Sequence, residues 1–164
     1  MKEDQKKNRF TELIKPLMPK LERYALSVAY DREQAKDIAA ETLMIAFERF
    51  DTLKDKKALL SFLFTIASRV RIEIIKQDKR TERLPEDISE LFSDKNASPE
   101  TLADVRFLYE ALDKIDSKMR ESIILFEIIG LKIKEIADVQ NCSVAAVKLR
   151  LFRGRRKLKE ILED

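Results

Sequence analysis

The chemistry this chain offers is concentrated towards its C-terminal end. Lys148, Arg150, Arg153, Arg155, Arg156, Lys157 and Lys159 follow one another, and no acidic residue falls between Asn141 and Lys159. Val144, Val147, Leu151, Leu158 and Ile161 interleave with them at helical spacing, which makes an apolar stripe for burial. A helix with one apolar and one cationic face is the electrostatic footprint of phosphate neutralisation. The same face also suits plain solvation, an acidic protein or a membrane surface.

The residues just before this helix narrow the choice. Glu135-Ile136-Ala137 reads as part of a short helix, Gln140-Asn141-Cys142 as a turn, and Ser143-Val144-Ala145-Ala146-Val147-Lys148 as the opening of the next helix. Asn141 tolerates the left-handed backbone that such a turn needs. The Ser143 side chain suits the N-cap, worth about 1 kcal/mol. Small Ala145 and Ala146 let the helix start approach another surface closely. Together these are the parts of a helix-turn-helix whose second helix enters a major groove. Within that helix the first cations are placed to read guanine edges and the later ones to grip phosphates. Cys142 occupies a hydrophobic turn position and reads as a small core residue.

A second patch lies in the N-terminal half. Asp37, Ala40, Glu41, Met44 and Glu48 fall on one helical stripe, opposite Ala35, Ile38, Ala39, Ile45 and Ala46. Carboxylates mixed with alanine and methionine suit docking to a basic partner helix, although a solvated acidic face has the same composition. Catalysis is poorly provided for. The chain has no histidine, no metal-ligand cluster, no glycine-rich phosphate loop and no nucleophile–base pair, so neither a metal nor another cofactor is expected.

The elements that must position these patches are helices. Two glycines in 164 residues, with 45% hydrophobic and 38% charged residues, predict an all-α chain with short connections. The net charge of +3 is uninformative beside its distribution. Phe10, Leu13, Ile14, Leu17, Leu21, Tyr24, Ala25 and Val28 form one buried face, which Pro16 and Pro19 must bend or divide. Further helices are predicted from residue 32 or 33 to about 50 and from about 58 to 76 or beyond. Periodicity fades between 84 and 101, where Pro85, Pro99 and three serines accompany mostly acidic charges. It resumes with Val105, Leu108, Leu112 and Ile115, then Met119, Ile123, Ile124 and Glu127, before a stop at Gly130. This divides the chain into a first domain over 1–83, an acidic linker over 84–103 and a second domain over 104–164. Cys142 is the only cysteine, the first nine residues lack the apolar core of a signal peptide, and no apolar run approaches the roughly 20 residues that span a bilayer. A soluble protein of a reducing compartment, without membrane insertion, is therefore expected.

Two stretches resemble the sigma-70 family, specifically its small extracytoplasmic-function members. Ala111-Leu112-Asp113-Lys114-Ile115, Glu135-Ile136-Ala137 and the residues 143–151 look like sigma domain 4, which in the family binds the −35 promoter element. Ala35, Asp37, Ile38, Glu41 and Thr42 look like the conserved helix of sigma domain 2, and Ser61-Phe62-Leu63-Phe64-Thr65-Ile66-Ala67 with Arg69 and Glu73 like its −10-recognition helix. The resemblance implies a promoter-recognition subunit found in the cytoplasm. Its partners would be promoter DNA, the clamp of the largest subunit and the flap of the second subunit of core RNA polymerase, and an anti-sigma factor. It implies polymerase contacts by Asp37, Ala40, Glu41, Met44 and Glu48. It implies DNA contacts by Lys56, Lys57, Arg69, Arg71, Lys76, Lys79 and Arg80 in the first domain. In the second domain, Ser143, Ala146, Lys148, Arg150, Arg153 and Arg156 would play that part. The acidic linker would thread the RNA-exit channel. Phe62 and Phe64 have the spacing of core residues, although stacking on unpaired bases is the alternative.

The chain departs from the family pattern at several positions. Arg69 stands where Asn is common, Glu73 where Asp is, Ala40 where Gln is and Phe62 where Trp is. Lys132 replaces a capping Ser or Thr, and Gly154 interrupts the basic helix where Ala would be favoured by about 1 kcal/mol. Promoter preference is the property these changes touch. Two other functions remain open from the residues alone: a DNA-binding regulator acting without polymerase, and a sigma-like decoy for an anti-sigma factor.

Overall fold

The computed structural model describes residues 2–78 and 98–163. Among these the chain is all-α, without a strand, as the composition predicts. The helices are α1 Glu3–Ile14, α2 Met18–Val28, α3 Arg32–Glu48, α4 Leu59–Gln77, α5 Pro99–Asp113, α6 Ser117–Ile123, α7 Ile133–Gln140 and α8 Val144–Glu163. Lys79, Arg80 and residues 84–97 of the expected linker lie outside the described residues, and 99–103, expected as linker, instead begin α5 behind the Ser98 cap.

Local chemistry sets most boundaries. Pro16 and Pro19 divide the long apolar stripe as expected: α1 ends at Ile14, a 3-10 turn covers Lys15–Leu17, and α2 starts with Pro19 in its first turn. Side-chain caps start four of the helices, α8 among them through Ser143. Asp31 accepts from the Gln34 amide at 2.8 Å, Ser98 from Thr101 at 3.1 Å, and Asp116 from Lys118 at 3.0 Å. After Ile123 the chain widens into a π-helical turn, Ile124–Ile129, and stops at Gly130 in the left-handed region, φ +84°. A side chain there would be strained, and the Leu125 carbonyl accepts from the Leu131 amide at 2.9 Å.

The first half wraps α1, α2 and α3 around α4. Phe10 meets Phe47 and Phe50 edge-on at 5.4 and 5.3 Å, and Tyr24 meets Phe64 at 5.4 Å. Phe64 is fully buried and Phe62 packs against the core, so both phenylalanines serve packing. Lys6 is buried despite its charge. Its ammonium pairs with Asp51 at 3.2 Å and lies over the Phe47 ring.

The two halves share one interface. α4 carries α3 on one side and α7 on another, and α2 packs on the π turn. At its centre the Glu121 carboxylate, 4% exposed, accepts from the Tyr24 hydroxyl at 2.7 Å and from Ser68 at 2.9 Å. Arg71 Nε lies 3.1 Å from the same oxygen, an ion pair without the alignment of a hydrogen bond. Its Nη1 donates to Ser117 at 3.2 Å. Burial, followed by the charge on Glu121, pushes the Tyr24 phenol well above its ordinary value. Burial alone would lower the Arg71 guanidinium, but Tyr24 and Glu121 outweigh it and hold it above its usual range.

Candidate nucleic-acid interface

The second half builds its interface on a tight turn. Asn141 takes the left-handed conformation at φ +52°, and the Cys142 amide reaches back to the Ala137 carbonyl at 3.0 Å. The Ser143 hydroxyl then accepts from the Ala146 amide at 3.0 Å, the expected cap of α8. Lys132 has no acceptor with which to cap α7, but Glu135 restores half of a capping box by accepting from the Lys132 amide at 2.9 Å.

α8 is held by Val147, Leu151, Gly154 and Leu158, all buried. A Cβ at Gly154 would come within 2.7 Å of the Ile123 δ-methyl. The glycine that looks like a weak point by helix propensity therefore permits a close helix crossing. Lys148, Arg153, Arg156 and Lys159 are exposed on the outer side, where phosphate contact requires them. Ala146 is only half exposed.

Arg150 departs from the expected outward role. Its Nη1 donates to Gln140 Oε1 at 2.9 Å and lies 3.2 Å from Cys142 Sγ, so this guanidinium braces the turn. Cys142 is partly buried and packs against the core, as its small-residue reading expects, and its Sγ also accepts a contact from this cation. Gln140 also receives Ser122 at 2.8 Å and donates to Glu121 at 3.1 Å. The turn is thereby linked by hydrogen bonds to the interface between the halves. Arg155 is held by Glu127 at 3.1 Å and lies over the Phe126 ring.

In the first half, Asp37, Ala40, Glu41, Met44 and Glu48 all reach the surface of α3, with Met44 53% exposed. Asp37, Glu41 and Met44 line a groove of about 600 Å³ whose other wall is α4, with Arg69, Val70 and Glu73. The fold thus brings the expected polymerase-contacting stripe and the two residues of the −10-recognition-like helix, Arg69 and Glu73, to one concavity. Lys57 and Lys76 are exposed. Lys56 is instead turned onto its own loop, donating to the Leu53 carbonyl at 3.0 Å and covering the Phe50 ring at 3.8 Å. Arg71 is the clearest departure: it is 9% exposed and committed to Glu121 and Ser117, so in this arrangement it faces the second half rather than a strand.

Several residues with evident roles were not singled out by the sequence. Glu121 and Gln140 carry the hydrogen-bond network, and their only signal is a charged or amide residue among apolar neighbours. Leu149 and Phe152 stand 46% and 64% exposed on α8, legible only as apolar residues outside the buried stripe. Among the described residues, no group of three or more His, Cys, Asp or Glu side chains is placed to hold a metal, and no helix is long and apolar enough to cross a membrane.

Residues 13–81 match the family model for Sigma-70 region 2, and residues 108–158 match that for Sigma-70, region 4. The chain is 27% identical over 152 residues to the ECF RNA polymerase sigma factor SigM of Bacillus subtilis, covering 92% of this chain and 93% of the relative. It is 30% identical over 129 residues to the ferric citrate uptake sigma factor FecI of Escherichia coli, covering 75% of this chain and 71% of the relative. The solved structure of the sigma factor RpoE of Bartonella quintana, in complex with the anti-sigma factor NepR, superposes with a TM-score of 0.72 at 26% identity. That match covers 94% of this chain and 97% of the other.

Proposed function

Because this chain belongs to the sigma-70 family of RNA polymerase sigma factors, in its extracytoplasmic-function branch, we propose that the two surfaces described above divide promoter reading and polymerase binding between them. The observation that carries this division is the pairing, in one chain, of a capped helix-turn-helix bearing a cationic outer face with an exposed acidic and apolar stripe on α3. Neither surface alone requires a polymerase.

In this reading α8 enters the major groove of the upstream promoter element. Lys148, Arg153 and Arg156 neutralise phosphates, and Ser143 and Ala146 lie at the entering tip. Arg69, Lys57 and Lys76 face the melted strand at the downstream element, joined by Lys79 and Arg80 and by Arg71 once it leaves Glu121. A flipped base there costs a few kcal/mol of unstacking, which a pocket and phosphate contacts offset. Asp37, Ala40, Glu41, Met44 and Glu48 dock on a basic helix of the polymerase clamp, while the second domain meets the flap. The acidic linker follows the RNA-exit channel between a first domain, 1–83, and a second domain that starts with α5 at Pro99 rather than at 104. An anti-sigma factor is a further partner, by analogy with the Bartonella relative solved bound to one. The protein acts in the cytoplasm, without catalysis of its own.

The test is reconstituted transcription with core polymerase on a genomic promoter pool. Specific start sites that disappear with Asp37→Lys and Glu41→Lys support the reading. Duplex binding by the isolated chain without core association would replace it with a polymerase-independent regulator.

A further inference from the structure

The outer side of α8 near its start is apolar where a base-reading helix would be expected to carry hydrogen-bonding groups. Leu149 is 46% exposed, and Ala145, one turn before it, is exposed as well, whereas Val144, although 40% exposed, falls beside the buried stripe. The Ser143 hydroxyl is occupied as the cap, and Arg150 is turned back onto Gln140 and Cys142. Among the side chains of the first two turns of α8, Lys148 is the exposed cation.

At about 100° per residue, Leu149 falls nearly opposite the buried stripe of Val147, Leu151 and Leu158. Packing within the chain therefore does not account for it. Phe152 is also exposed, but it lines a shallow groove with Ile133, Lys148, Leu151 and Arg155, to one side of the outward line. Charge complementarity decides what meets this face. Leu149 shares the exposed side of α8 with Lys148, with Arg153 one turn on and with Arg156 two turns on, and such a setting fits the polyanionic walls of a duplex. In the major groove the one apolar feature on a base edge is the 5-methyl group of thymine.

We infer that Leu149 reads a thymine methyl in the upstream promoter element, so that discrimination at that base pair is made by apolar contact rather than by an arginine–guanine pair. This rests on the proposed placement of α8 in the major groove. It gives that surface a base preference.

The experiment uses holoenzyme reconstituted from core polymerase and the full chain. Footprinting on promoters selected from a genomic pool locates the upstream element. Each thymine in it is then replaced singly by deoxyuridine, which removes only the methyl group. The expected result is one position at which the replacement weakens binding about fourfold, the loss for one buried methyl-sized group. Holoenzyme carrying Leu149→Ala binds the thymine and uracil duplexes equally, whereas Phe152→Ala keeps the difference. Leu149 is exposed, so the truncation leaves the core intact. The inference is overturned if no replacement weakens binding, or if the penalty persists with Leu149→Ala. It is also overturned if Leu149→Ala lowers polymerase association and leaves the methyl preference unchanged, which would assign the leucine to a protein contact. Failure to form any promoter complex would instead remove the proposed function itself, and this inference with it.

Discussion

Tyr24 and Glu121, 97 residues apart in the chain, are joined by a buried hydrogen bond of 2.7 Å, and Arg71 pairs with the same carboxylate oxygen at 3.1 Å. The carboxylate thus belongs to one half and three of its partners, Tyr24, Ser68 and Arg71, to the other. Breaking a buried ion pair on one side costs far more than the pair itself contributes, because the remaining charge keeps its desolvation penalty. Glu121→Ala, which strands Arg71, is expected to lower stability by about 3–5 kcal/mol in urea unfolding. The double change Glu121→Leu with Arg71→Met should recover most of that loss. A single Glu121→Ala change without effect would show that the halves are not held through this contact.

The same contact shapes the alkaline limit. Burial and then Glu121 hold the Tyr24 phenol well above its ordinary value, so the folded chain keeps a proton that the unfolded chain releases near pH 10. The stability contributed by neutral Tyr24 is complete below about pH 10 and is lost as the pH rises towards the folded value. Tyr24→Phe should be less stable at neutral pH, through the lost hydrogen bond, yet show a flatter decline above about pH 10. Equal alkaline slopes in pH-dependent unfolding would contradict this.

The cations of α8 divide into two kinds by their partners. Lys148, Arg153 and Arg156 are exposed, Arg156 with only an exposed ion pair to Glu160 at 3.8 Å, whereas Arg150 is bonded to Gln140 and Cys142. Neutralising any of the first three should reduce the slope of log K against log salt by about 0.9, measured for holoenzyme on promoter duplex. Arg150→Ala should leave that slope in place and lower the unfolding midpoint instead. A salt slope reduced equally by Arg150→Ala would place its guanidinium on phosphate.

Gly154→Ala offers a test of helix packing. Propensity alone favours alanine by about 1 kcal/mol. The new Cβ would meet the Ile123 δ-methyl at 2.7 Å, so Ile123 must move and the gain should largely disappear. In an Ile123→Val background, which withdraws that methyl, the full gain should return. A double-mutant cycle on unfolding free energies reads the coupling directly.

What was legible in advance was local. Helix content follows from composition, the break after Ile14 from the two prolines, and the turn from Asn141 and Ser143, because each depends on residues within a few positions. The exposed stripe of Asp37, Glu41 and Met44 was equally legible, since a period of 3.6 residues sorts one face of a helix from the other. Periodicity says which face is apolar but not which element covers it. Only the tertiary structure could turn Arg71 inward to Glu121, set Arg150 against Gln140, bury Lys6 beside Asp51 and make Gly154 a point of contact. Each of these depends on a partner brought close by packing, and at such positions charge alone does not determine whether a side chain meets nucleic acid or its own fold.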